Sequence, residues 1–222
     1  LQWEDHFHAR DVTLVDPGFG PKLATRAASG KLFDQIAEKV PSFIGGSADL
    51  VGSTKTHISF SGSYSARNRA GRNIHFGIRE HAMGAAVNGM AVHGGLRPYA
   101  GTFFVFADYL RPALRLSALM RAPSIWVFTH DSFFVGEDGP THQPIEHLAT
   151  LRAIPGLVTL RPADAGEALE AWEIALNRHH GPTALILTRQ HYPSLLEADP
   201  VAIAAVGAKS VAIARALQQV VQ

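Results

Sequence analysis

Cysteine is absent from the 222-residue sequence. That removes disulfides, thiolate metal sites and cysteine nucleophiles, and it leaves the redox compartment open. A dominant charge is lacking as well. The 20 Lys and Arg face 19 Asp and Glu, so no bulk field recruits nucleic acid or a membrane surface. No apolar run approaches the roughly 20 residues that a membrane helix requires. Leu1-Gln-Trp-Glu-Asp-His6 is acidic and carries no apolar stretch, so no secretory signal is expected there. Long repeats and low-complexity tracts are missing too. What is present is enough chain for one large α/β domain with a buried core, and a high histidine count of 12. These features lead to the expectation of a soluble, cytoplasmic enzyme.

Short apolar runs alternate with longer segments of helical period. Residues 42–46, 74–76, 98–103, 124–129, 157–160 and 183–188 read as strands. Most lack a two-residue polar alternation, which suits strands covered on both faces. Helices are predicted over 23–38, 80–93, 106–120, 145–151 and 165–178, the last opened by Asp164 as its cap. The alternation argues for a doubly wound, mostly parallel six-stranded sheet with helices on both faces. Ligands of such sheets sit outside the carboxyl ends of the strands. Residues 1–21, with Asp16-Pro-Gly-Phe-Gly-Pro21, read as an irregular approach segment. The domain proper is expected over 22–195. Residues 196–222 hold a Val-Ala-Ile-Ala tetrapeptide at 201 and again at 211. They read as a linker and the start of a truncated C-terminal domain.

Chemistry concentrates in three places. Phe76-Gly-Ile-Arg-Glu-His-Ala-Met-Gly84 sets Glu80 at a turn between a short apolar run and a Gly/Ala-rich helix. Downstream come Phe103, Phe104, Phe106 and Tyr109. A carboxylate beside a flat aromatic wall suits an aminopyrimidine ring with which a proton is exchanged. The plainer alternatives are a first-turn glutamate favoured by the helix dipole and aromatics packed in the core, where Phe104 is expected to point. The third place is Gly136-Glu-Asp-Gly-Pro-Thr-His-Gln-Pro144, which carries Asp138 and His142 on a loop stiffened by proline and freed by glycine. With His130 it offers two imidazoles and a carboxylate to read hydroxyl groups and move a proton. A metal site across 130–142 is an alternative that no helical i, i+4 His pair supports.

Further runs are Leu23-Ala-Thr-Arg-Ala-Ala-Ser-Gly30, Gly45-Gly-Ser-Ala-Asp-Leu50, Gly101-Thr-Phe-Phe-Val-Phe-Ala-Asp-Tyr109, Thr129-His-Asp-Ser132 and Leu187-Thr-Arg-Gln190. In this order the set resembles the pyrimidine-binding (middle) domain of the transketolases, across roughly residues 22–192. The resemblance implies the thiamine diphosphate-binding fold and transfer of a two-carbon ketol unit from a ketose phosphate to an aldose phosphate. It implies thiamine diphosphate as cofactor, with Mg²⁺ or Ca²⁺ held by a diphosphate-binding domain and not by this chain. Glu80 would bond the pyrimidine ring nitrogen and relay a proton. Phe103, Phe106 and Tyr109 would wall the ring, and Asp49 would lie near the cofactor. Asp138 and His142 would meet substrate hydroxyls, with His142 and His130 among the catalytic groups. Arg26, Ser53, His130 and Arg189 would clamp the sugar phosphate, a task that suits the forked donors of guanidinium.

The partners implied are sugar phosphates, a diphosphate-binding domain or subunit, and a homodimeric or heteromeric assembly. No nucleic acid or membrane partner is expected. Three departures stand out. Phe133-Phe134 occupies the place of a smaller pair, often Ile-Gly, in the family. His191-Tyr192 follows Arg-Gln where Asn-Leu is usual. A Gly-Asp-Gly…Asn segment of the kind that grips metal and diphosphate is missing. The first two bear on substrate range, the third on completeness. The expectation is a fragment of a longer transketolase or one subunit of a split enzyme. A related thiamine enzyme such as a dihydroxyacetone synthase and a non-catalytic truncated domain acting in assembly are the alternatives.

Overall fold

A computed structural model of the chain describes residues 11–193. The expectations for residues 1–10 and 196–222 lie outside the described residues. The element order is β1 (Lys22–Leu23), α1 (Thr25–Lys39), β2 (Phe43–Ser47), α2 (Val51–Thr54), β3 (Asn73–His75), α3 (Glu80–His93), β4 (Arg97–Phe103), α4 (Ala107–Leu119), β5 (Ile125–Thr129), α5 (His147–Arg152), β6 (Val158–Leu160), α6 (Ala165–Asn177), β7 (Thr183–Leu187) and β8 (Tyr192–Pro193). Single 3₁₀ turns stand at Phe104–Phe106, Phe133–Val135 and Pro140–His142.

The main sheet has six strands, all parallel, in the order β3-β2-β4-β5-β7-β6. This is the doubly wound sheet expected from the sequence. A short antiparallel pair, β1 with β8, was not anticipated. The central strands read as unbroken apolar runs because both faces are covered. Ile125 and Val127 join the core under α1 and α6, while Trp126 and Phe128 join the core under α3 and α4. Each fully buried ring contributes on the order of 2–3 kcal/mol through apolar area removed from water.

The first core is built on rings. Phe33 meets Tyr99 edge-on at 5.1 Å and Trp172 at 5.4 Å, and the Trp172 indole N–H donates to Ser29 Oγ at 2.9 Å. On the opposite face α3 and α4 pack closely because Gly84 leaves no side chain. A Cβ there would lie 2.7 Å from the Ala113 Cβ. Asn88 Nδ2 donates to the Ala113 carbonyl at 2.8 Å across the same contact.

Residues 11–20 have no regular structure, yet Val12, Leu14 and Phe19 are buried in the first core. Side chains stand in for a sheet partner. Asn177 accepts from the Val12 amide at 2.8 Å and donates to the Val12 carbonyl at 3.0 Å. Glu173 accepts from Leu14 N, and Gln35 pairs with both backbone groups of Val15.

Topology decides where a ligand fits. From β2 the chain runs to β3 on one side and then crosses to β4 on the other. The loops leaving the carboxyl ends of β2 and β4 therefore diverge, and a crevice opens between them.

Candidate active site

That crevice is an open cleft of about 510 Å³, lined by Ala48, Asp49, Leu50, Ile78, Glu80, Phe103, Phe106, Tyr109 and His142. Three strand ends supply it. Asp49 follows β2 and is held at φ +63°, a left-handed conformation uncommon outside glycine. Glu80 is the first residue of α3, after a turn through Gly77 at φ +70° that is closed by Arg79 N donating to the Gly77 carbonyl at 2.8 Å. Its side chain is buried, the residue being 8% exposed. Among the described residues its carboxylate has no hydrogen-bond partner. Its oxygens are not among the fully buried unpartnered atoms, so the carboxylate opens to the cleft, where a ligand atom can bond it.

The aromatic wall rises from the end of β4 into α4. Phe103 and Phe106 lie 5.9 Å apart with rings 5° from parallel, and Phe106 and Tyr109 lie 5.9 Å apart at 29°. All three rings line the cleft, with Tyr109 as the outermost, exposed one. His142 stands edge-on to Phe106 at 5.4 Å and to Phe103 at 6.4 Å. Phe104 turns the other way, as expected, into the core beside Phe128. An aminopyrimidine fits this donor set: a flat, partly apolar ring for the wall and a ring nitrogen for the carboxyl.

A second cluster adjoins the first. His130 follows β5 at φ +61°, is 3% exposed, and lies against Phe103 with ring centroids 3.7 Å apart. Arg26, from the first turn of α1, donates to the Ser53 carbonyl at 2.7 Å and reaches His130 Nε2 at 3.5 Å. Arginine can only donate, so Nε2 is the acceptor and Nδ1–H donates to Thr129 Oγ1 at 2.8 Å. Burial, then the charges of Arg26 and Arg189, push the His130 pKa down to about 4. The imidazole is therefore neutral at pH 7, with its one acceptor lone pair, on Nε2, turned to Arg26. The Arg26 pKa is lowered by burial and by Arg189, so the two guanidiniums sit within reach of each other's field. Asp138 and His142 act on His130 in the same way, Asp138 favouring its protonated form and His142 opposing it.

Glu80, Asp49, Phe103, Phe106, Tyr109 and His142 thus share the cleft, and Arg26, Ser53, His130, Asp138 and Arg189 gather beside it. Ser53 enters through its carbonyl oxygen. His130, Asp138 and His142 do not converge on a metal-binding geometry. Among the described residues the one set of acidic and histidine ligand atoms within 4.8 Å of one another is Asp108, Glu146 and His147. There His147 Nε2 bonds Asp108 Oδ2 at 3.1 Å and ties α5 to α4.

Three contacts were missed. Thr129 fixes the His130 ring, and its place in Thr-His was a usable signal. Asp131 lies in the quoted Thr129–Ser132 run but faces away from the cluster, bound by Arg161 at 2.7 and 2.9 Å. Glu137 reaches Arg189 Nη2 at 3.3 Å, a link across 52 positions that no local pattern announces.

Comparison with known proteins gives the same placement. The family described as "Transketolase, pyrimidine binding domain" matches residues 21–194. A transketolase of Bacillus subtilis (strain 168) is 56% identical over 187 residues, covering 84% of this chain and 28% of the relative. The crystal structure of transketolase from Campylobacter jejuni superposes with a TM-score of 0.77 at 48% identity, covering 84% of this chain and 29% of that one. A split gene transketolase, an inactive β4 tetramer, aligns with a TM-score of 0.62 at 29% identity over 78% of this chain and 54% of its own. The chain spans about a quarter of the length of the curated relatives it matches. By these matches over most of its described length, the chain belongs to the transketolase pyrimidine-binding domain family.

Proposed function

We propose that this chain is the pyrimidine-binding half of a thiamine diphosphate-dependent transketolase that moves a two-carbon ketol unit from a ketose phosphate to an aldose phosphate. The observation that carries the reading is Glu80, buried, without a partner among the described residues, and facing a cleft walled by Phe103, Phe106 and Tyr109. Bound thiamine diphosphate supplies a carbon nucleophile and a sink for the electrons of the cleaved bond. Glu80 holds a proton at the pyrimidine ring nitrogen and exchanges it. The three rings fix the plane of that pyrimidine, and Asp49 offers a polar edge. Their joint effect is orientation, which lowers the barrier by removing unproductive poses.

The second cluster reads the sugar. Neutral His130 accepts a substrate hydroxyl at Nε2 once Arg26 turns from that nitrogen to the phosphate. Asp138 and His142 take the neighbouring hydroxyls, and His142 also moves a proton during bond cleavage. Arg26 and Arg189, with Ser53 beside Arg26, receive the phosphate. This clamp favours a phosphorylated acceptor over a small aldehyde. The diphosphate and its Mg²⁺ or Ca²⁺ are assigned to a diphosphate-binding domain or subunit. Ile78, Tyr109, Leu116 and Leu119 remain exposed along and beyond the cleft rim, and an apolar surface of this kind suits a docked protein partner. We place the diphosphate-binding half there, within a homodimer or a heteromeric assembly.

The test is ketol transfer from xylulose 5-phosphate to ribose 5-phosphate by the assembled enzyme, beside its Glu80→Ala variant and with formaldehyde as a second acceptor. Transfer to ribose 5-phosphate that is lost in the variant supports the reading. Preferred transfer to formaldehyde, or activity untouched by the variant, contradicts it.

A further inference from the structure

Two guanidiniums close enough for the charge of Arg189 to lower the Arg26 pKa call for an anion. Arg26 has no acidic partner among the described residues: it bonds a carbonyl and a neutral imidazole. Arg189 is different. Its Nη2 meets Glu137 Oε1 at 3.3 Å, and Nη1 donates to the Val135 carbonyl at 3.4 Å. Glu137 is the immediate neighbour of Asp138, on the loop that also carries His142. Local turns shape that loop, with Gly139 N donating to Gly136 O and His142 N to Gly139 O, each at 3.0 Å. The Glu137 bridge is the side-chain ion pair that fastens the loop to the segment after β7.

The bridge is built to be exchanged. The Glu137 side chain is 80% exposed and that of Arg189 is 36% exposed, so water screens the pair and its net stabilisation is small. A phosphate ester brings up to two charges and three acceptor oxygens, enough to engage Arg189 and Arg26 together. A sugar without phosphate offers neither. We infer that Glu137 occupies Arg189 as an internal stand-in for the substrate's phosphate. Arrival of the ester displaces it and releases the loop bearing Asp138 and His142. Glu137 is thus a specificity-determining and positioning residue, one that keeps unphosphorylated sugars from unlatching the loop. The inference rests on the sugar-phosphate reading of the clamp given above.

The probes are inorganic phosphate, ribose 5-phosphate and ribose, titrated into the full 222-residue chain and followed by amide NMR. Glu137→Gln is expected to bind both phosphates roughly two- to five-fold more tightly, the range set by an exposed ion pair. Glu137→Asp keeps the charge but is one methylene short of Arg189, and it is expected to tighten binding at least about two-fold. Ribose binding stays unchanged in both. The Gly136 and Gly139 amides shift with phosphate in the wild type, and in Glu137→Gln they start near the phosphate-bound positions. Tightening in Gln but not in Asp would reduce Glu137 to a bystander charge and overturn the latch. No tightening in either variant overturns it as well. The clamp is tested separately. Phosphate binding that neither Arg26→Ala nor Arg189→Ala weakens would refute the site on which the latch depends.

Discussion

Replacing Arg97 with methionine removes the group that closes the carboxyl end of α6. Arg97 opens β4, is 7% exposed, and donates to the carbonyls of Pro123 at 2.8 Å, Leu176 at 3.1 Å, Arg178 at 2.8 Å and Ala175. Three of those oxygens belong to the end of α6, where carbonyls lack helical partners and the dipole favours a cation. No carboxylate shares the site among the described residues, so burial works against the charge and lowers the pKa to about 10. The guanidinium is still charged at pH 7. Its hydrogen bonds therefore outweigh much of the desolvation. Charged hydrogen bonds contribute roughly 1.5–3 kcal/mol each before that offset. Stranding four acceptors in a nearly dry site is expected to cost about 3–5 kcal/mol. For a domain of this size that lowers Tm by about 10 °C. Urea unfolding followed by circular dichroism measures it, with the slope against urea unchanged. Arg97→Lys, with one compact ammonium, should fall between. A loss under about 1 kcal/mol in Arg97→Met would refute the reasoning, because the carbonyls would then be satisfied some other way.

Two further predictions concern the site and the strap. The His130 pKa lies at about 4 in the fold and near 6.5 in an unfolded chain, so between those values the unfolded state binds more protons. Stability contributed by neutral His130 is full above about pH 6.5 and is lost as pH falls toward 4, by roughly 2–3 kcal/mol. Urea midpoints at pH 7.5 and 4.5 should separate more for the wild type than for His130→Asn, and an equal separation contradicts the assignment. Asn177→Ala removes both side-chain bonds to Val12. It is expected to cost about 1–2 kcal/mol and to speed hydrogen exchange at the Val12 amide. Unchanged exchange there would show that the strap does not depend on Asn177.

How much could be read from the chain alone follows from what each element depends on. Strands β4, β5 and β7 were legible because a strand covered on both faces is largely apolar, and Ile125-Trp-Val-Phe128 is wholly so. The start of α3 was legible from Gly77 and the Gly/Ala-rich run after it. The cap of α6 was too, since Asp164 Oδ1 accepts from Glu167 N at 2.9 Å. The β1–β8 pair was not, because its register joins Leu23 to Tyr192 across nearly the whole domain. Helix α2 escaped notice as a single turn containing a glycine. The strap at 11–20 escaped because its hydrogen bonds come from side chains of α1 and α6, whose facing no local pattern in the strap reveals.

The site divides along the same line. Glu80, Phe103, Phe106 and Tyr109 lie in two compact motifs and were found together. Asp138 and His142 share a loop whose Gly and Pro content marks it. The resemblance grouped Arg26 with His130 in one clamp, but their contact and the packing of His130 on Phe103 link segments far apart in sequence and were not foreseen. The Glu137–Arg189 bridge had neither source. It required the placement of two loops in space. The rings of Phe133 and Phe134 lie 4.4 Å apart, tilted by 33°, in the turn that Arg189 and Gln190 brace. Their departure from the family pattern thus sits beside Arg189, in the proposed phosphate clamp.

Proton exchange between Glu80 and the pyrimidine of thiamine diphosphate is the proposed step on which the cleft's role depends. The most direct measurement is hydrogen–deuterium exchange at the thiazolium C2 of cofactor bound to the assembled enzyme, in wild type and Glu80→Gln. Exchange slowed by about 10²–10⁴-fold, with cofactor affinity changed far less, is the expected result. Equal exchange rates in the two proteins, with cofactor bound in both, would contradict it.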